Sequence, residues 1–338
     1  MTKANFDRGE VINWLLEEES PGMRYLALRD LQQRPADDPE LTAARKNAHT
    51  NGPIKEILDA MDAQGFWVKP GPGYGPKYKS TVWSLILLAQ LGALIDEDSR
   101  IRTACDYLMA HAWHPQGQLA AGEPASYTID CLQGNLCWAM TELGYEDACL
   151  DKAFEWMART VTGEGIAPKV DKKADVRYYA YKCGPGFRCG ANIGQPCAWG
   201  AAKVMLAFGR FPKPKRTPLI KEAIQQGIEF LFSVELTKAN WPTSYGKPPS
   251  RDWWEFGFPV FYITDLLQVA EALVGLGYAG DPRMQGLLDL IRGKQDSEGR
   301  WLQEYPYGSK TWSNFGMKNK PNKWVTLRAL KVLKLAGR

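Results

Sequence analysis

Apolar residues recur at three- and four-residue spacing through most of the chain, in segments that come in pairs. One member of each pair is apolar nearly all round. Residues 82–89 read Val-Trp-Ser-Leu-Ile-Leu-Leu-Ala, and residues 266–273 read Leu-Leu-Gln-Val-Ala-Glu-Ala-Leu. Its partner carries charge along one face, as in Lys221 and Glu222 followed by Glu229. A helix without a polar face is buried and a helix with one lies at the surface. The pattern therefore predicts alternating inner and outer helices. Inner helices are expected to start near Met23, Ser80, Asp130, Pro196, Thr264 and Lys323, with outer helices over 10–16, 41–48 with 54–61, 100–112, 150–160, 219–232 and 282–291. The Pro- and Gly-rich stretch 69–79 must be a loop, and Ser80 after it stands where an N-cap belongs.

Each pair is punctuated in the same way. Helix ends read Leu91-Gly92, Leu143-Gly144, Phe208-Gly209, Leu276-Gly277 and Ala336-Gly337, roughly 50 to 70 residues apart. The turns between helices carry Gly and Trp, as in Gln64-Gly65-Phe66-Trp67 and in the run from Gln295 through Gly299 to Trp301. One helical hairpin cannot bury its apolar face, so several must stack. Six pairs without atypical capping repeats imply a closed (α/α)6 toroid with a central cavity, a single all-α domain over residues 1–338.

Gln295-x-x-x-Gly299-x-Trp301, with apolar helices after it, resembles the repeat of the squalene cyclase and protein prenyltransferase superfamily, and looks closest to its bacterial terpene-cyclase-like members. The resemblance implies a toroid with a central cavity and an apolar or isoprenoid-like substrate. Prenyltransferases of the superfamily hold zinc at the rim through Asp, Cys and His; here Asp130 and Cys131 are adjacent, with no evident His partner. The Asp-x-Asp-Asp acid motif of its class II cyclases is absent, and Asp130 stands alone in a comparable position.

Composition narrows the classes. The 338 residues are 45% hydrophobic and 24% charged, with a net charge of +4, too small to argue for nucleic acid. No run approaches the roughly 18 apolar residues that span a bilayer, and Lys3, Asp7, Arg8 and Glu10 do not read as a secretion signal, so a cytoplasmic protein is expected. Seven unevenly spaced cysteines suit reduced thiols or a metal site better than a disulfide framework.

In a closed ring the inner helices are parallel, and their N-termini open at one rim, where positive helix ends favour anions. Cys131 and Cys197 begin successive inner helices, and Cys183 and Cys189 lie in the loop leading to the second. Thiolates at such a rim are candidate ligands for zinc, with Cys183 or Asp265 as the fourth; buried thiols without ligands are the alternative. Asp265, Tyr262 and Asp130 are the candidate proton-transfer groups, although a lone Asp before a helix also serves as an N-cap. Trp83, Trp254, Trp312 and Trp324, with Arg177 and Tyr181 from the basic and aromatic run before the Cys loop, are the candidate substrate contacts. Three readings follow: a metal-dependent enzyme for a small apolar or amphipathic molecule; a non-catalytic module that binds a ligand or partner and is stapled by a structural metal; and a carbohydrate-active (α/α)6 enzyme, which would require paired carboxylates such as Asp252 and Glu255.

Overall fold

A computed structural model describes residues 8–122, 128–167, 170–171, 173 and 183–338. Its described residues hold thirteen α-helices and, in place of strands, only isolated β-bridges. The inner helices are α2 (Pro21–Leu26), α5 (Thr81–Gln90), α7 (Asp130–Glu142), α9 (Ala198–Arg210), α11 (Leu266–Gly275) and α13 (Lys323–Leu335). They begin within two residues of the expected starts. Around them stand α1 (Arg8–Leu15), α3 (Pro39–Thr50), α4 (Pro53–Asp59), α6 (Arg100–Ala112), α8 (Ala148–Thr162), α10 (Pro218–Leu231) and α12 (Gln285–Gly293).

All six inner helices contribute walls to one axial cavity, as a closed ring requires. Lys331 of α13 pairs with Asp30, just beyond α2, at 2.7 Å, which joins the last inner helix to the first. Helices α7 and α9 approach so closely that a Cβ on Gly134 would lie 2.6 Å from the backbone of Lys203, so a side chain there would push the pair apart. Helix α2 differs from the expected continuous helix over 23–31: after Leu26 it widens into a π-helical turn, Ala27–Leu31, with Gln32 N–H bonding Ala27 C=O at 3.0 Å.

The recurring Gly and Trp turns have a common physical job. The indole N–H of Trp67 donates to Ile57 C=O at 2.6 Å, that of Trp241 to Leu231 C=O at 3.2 Å and that of Trp301 to Ile291 C=O at 2.7 Å. Each bond ties the turn to a carbonyl in the last turn of an outer helix. The backbone of two of these turns is then held by the next inner helix: Trp67 N–H donates to Thr81 Oγ1 at 3.2 Å and Trp301 N–H to Thr326 Oγ1 at 2.9 Å. Ser80 departs from its expected role. Its hydroxyl donates to Gly73 C=O at 2.7 Å and makes no cap to α5, so it ties the preceding loop together instead.

A plug closes the axis below the N-terminal rim. Residues 256–261 cross the lumen without regular structure, so their buried backbone groups must find side-chain partners. Gln303 serves both N–H and C=O of Phe258, at 2.9 and 2.6 Å. Gln90 does the same for Val260, at 2.8 and 2.7 Å. Asn135 Nδ2 donates to Phe261 C=O at 2.9 Å, and Arg328 to Gly257 C=O at 2.7 Å. Phe261 in turn packs among Tyr78, Trp83 and Tyr307.

Candidate functional site at the N-terminal rim

With the axis plugged, the rim keeps a cavity of about 450 Å³ at the starts of α7 and α9. Its walls are aromatic: Tyr74, Trp199, Trp241, Trp253 and Tyr262. Trp253 packs against Trp199 and Trp241, and Trp199 stands edge-on to Tyr262 at 5.5 Å. Cys131, Cys189 and Cys197 share the same lining, so residues 131 and 197, distant in sequence, meet at one mouth. Lys77 and Lys247 supply its positive charge. The Lys77 ammonium lies 4.4 Å from the Tyr262 ring centre and 5.1 Å from that of Tyr74, a cation held over two π faces.

The thiols are positioned by the loop before α9. Arg188 and Pro196 form an antiparallel bridge, Cys189 N–H donates to Gln195 C=O at 3.1 Å, and Cys197 N–H to Phe187 C=O at 2.8 Å. This short pairing turns both side chains to one side, where the Cys197 and Cys189 thiols hydrogen-bond to each other. All seven cysteines are free thiols. Among the described residues no group of three or more Cys, His, Asp or Glu side chains is arranged to hold a metal ion. Cys131, Cys189 and Cys197 line the cavity, Cys183 is buried within electrostatic reach of Cys131, Cys189 and Asp130, and Asp265 is engaged elsewhere.

The site keeps its protons. Burial pushes the Cys131 thiol up to about 12 against the pull of Lys203. The hydrogen bond to Cys189, then burial, raises Cys197 well above the ordinary thiol value. Burial likewise raises the Tyr262 phenol. Asp130, next to the cavity lining and 5% exposed, is raised well above the usual carboxylate range, first by burial and then by Cys189, with Thr160 opposing. Its Oδ2 has no hydrogen-bond partner among the described residues. It is not an N-cap, since Ile129 holds that position.

Asp265 has the opposite fate. It caps α11, accepting Gln268 N–H at 2.7 Å, and takes two bonds from Arg328 at 3.0 Å. A carboxylate so engaged supports the plug and is not presented to the rim cavity. The aromatic candidates also separate. Trp83 donates to Tyr74 C=O behind the cavity wall, Trp254 to Thr237 C=O and Trp312 to Ser84, and none of the three lines the cavity. Trp324 lies on the far side of the plug, stacked on Phe258 at 4.6 Å. Arg177 and Tyr181 fall outside the described residues. Asp252 is tied to Ser250, and Glu255 pairs with Arg251 at 2.8 Å.

Lys203 was not singled out by sequence. It is fully buried, donates to Thr264 Oγ1 and, at 2.8 Å, to Gln268 Oε1, and burial lowers its pKa to about 8. A lone lysine inside the apolar run Ala201-Ala202-Lys203-Val204-Met205 was the available signal.

No family model matches the chain, and no curated protein matches its sequence. Among solved structures, the chain is similar to a family 76 glycoside hydrolase from a bovine Bacteroides thetaiotaomicron strain, at 12% identity over 97% of this chain and 68% of that one, with a TM-score of 0.48. It is also similar to the type II terpene cyclase MstE from Scytonema in complex with geranylgeranyl dihydroxybenzoate, at 11% identity over 87% and 97% of the two chains, with a TM-score of 0.34. A protein from Actinoplanes gives 13% identity over 88% and 99%, with a TM-score of 0.32. At these values the chemistry of the rim stands on this chain's own side chains.

Proposed function

We propose that the rim cavity is the substrate site of a toroid enzyme acting on an apolar or amphipathic, isoprenoid-like molecule. One observation carries the reading: a single ligand-sized cavity joins five aromatic side chains, two lysines and a group of proton-holding acids. The aromatic walls suit an apolar chain, and Lys77 and Lys247 suit an anionic head such as a diphosphate or carboxylate.

The protonation states select the chemistry. Thiols held above their ordinary pKa are poor nucleophiles at neutral pH, which argues against thiolate attack. Tyr262 in the lining and Asp130 beside it instead retain protons to donate to an electron-rich substrate. Positive charge formed by that donation would lie among π faces.

Farnesyl diphosphate is the probe. Calorimetric titration of the full chain is expected to show saturable binding that Trp253→Ala weakens about tenfold or more, the scale of a lost aromatic wall. Product analysis is expected to show a cyclised diphosphate, formed by proton addition to an alkene, ring closure and loss of a proton from the ring cation, and read by gas chromatography as its alcohol after phosphatase treatment; it is lost in Tyr262→Phe or Asp130→Asn while binding persists. Binding without any product from the native chain would replace the enzyme by the non-catalytic module, and no binding would remove the rim as a site.

A further inference from the structure

Below the plug the toroid keeps a second cavity, of about 200 Å³, open toward the C-terminal ends of the inner helices. Its charges are internally matched. Asp30 holds both Arg29 and Lys331 at 2.7 Å, Glu142 holds Arg210, and Arg328 is held between Asp265 and Glu271 at 3.0 and 2.8 Å. No ionic wall group is left calling for a charged ligand.

What remains unmatched is neutral. Asn135, 3% exposed, spends its amide N–H on the plug, and its Oδ1 accepts nothing among the described residues. Gln268, 5% exposed, accepts from Lys203 at Oε1, and its Nε2 has no acceptor among them. The indole N–H groups of Trp138 and Trp324 are likewise without an acceptor among the described residues, and all four side chains line this cavity. Trp138 and Trp324 are half-buried, so the missing partners of these groups are supplied by water or by a ligand that occupies the cavity. Arg29 and Asp30 at the wall sit on the π-helical turn, a distortion often found at functional sites.

We propose that this cavity binds a small neutral polyhydroxylated molecule of about monosaccharide size. A hydroxyl both donates and accepts, so a polyol meets Asn135 Oδ1 as donor and Gln268 Nε2 and the indole N–H groups as acceptor. The C–H face of a sugar ring lies against the planes of Trp138 and Trp324. A charged ligand would meet a wall already neutralised, and a hydrocarbon would leave the four groups unpaired. The inference is independent of the rim, since the plug lies between the two cavities.

The test is calorimetric titration of the full chain with D-glucose, D-mannose and myo-inositol, and with cyclohexanol as a ring bearing one hydroxyl. At least one polyol is expected to bind saturably at concentrations up to about 10 mM while cyclohexanol does not. Trp138→Phe, which keeps an aromatic face and removes the N–H, is expected to weaken that binding about tenfold and to leave farnesyl diphosphate binding at the rim unchanged. Absence of binding by all three polyols, equal binding of cyclohexanol, or indifference to Trp138→Phe would each overturn the assignment.

Discussion

Asp130 and Asp265 occupy the same kind of position, a carboxylate at the start of an inner helix, and the fold treats them oppositely. Asp265 meets Arg328, 63 positions away, and the first turn of its own helix. Among the described residues Asp130 meets thiols and the Thr160 hydroxyl, and burial raises its pKa well above the usual carboxylate range. Sequence left both roles open for each residue, because the deciding partner in each case is remote. A consequence can be measured. The native Asp130 binds its proton more tightly than the unfolded chain does, so its contribution is present below the ordinary carboxylate pKa and stability falls as pH rises toward the raised native value. The slope is about 1.4 kcal/mol per pH unit within that window. Asp130→Asn is expected to flatten that part of the profile, above the ordinary carboxylate pKa, in urea unfolding; parallel profiles for the two proteins would contradict a protonated carboxyl.

At the level of helices, periodicity and punctuation were enough to anticipate the inner and outer sets, since an element buried on all sides must be apolar on all sides. Positions of Gly and Trp also marked the turns correctly, although the reason for the Trp became visible only when its N–H was seen to reach the end of the outer helix ten residues earlier. Trp301, 1% exposed, donates to Ile291 and packs beneath the turn. Trp301→Phe removes that donor and leaves a small void, with an expected loss of about 3 kcal/mol in chemical denaturation. A loss below about 1 kcal/mol would mean that the indole bond is incidental to the repeat. The π-helical turn after Leu26 left no mark in the apolar spacing, because one widened turn shifts the pattern by less than the spacing resolves.

For the whole molecule, the plug is the feature that divides one expected cavity into two sites. It depends on amides that lie far from it in sequence, Gln90 being 170 positions from Val260. Gln90→Leu keeps the side-chain bulk and strands the Val260 N–H and C=O. A destabilisation of about 2 kcal/mol or more is expected in urea unfolding, and native-like stability would show that the plug is held by its aromatic packing alone. By itself the sequence determined an all-α ring and the rim at which Cys131 and Cys197 meet, because helix period, apolar extent and the parallel order of inner helices are local or additive properties. Tertiary structure alone decided which carboxyl keeps its proton, which tryptophans reach a cavity and where the lumen is blocked. Those depend on single partners brought together across more than fifty residues, and no spacing along the chain encodes which buried group will find one.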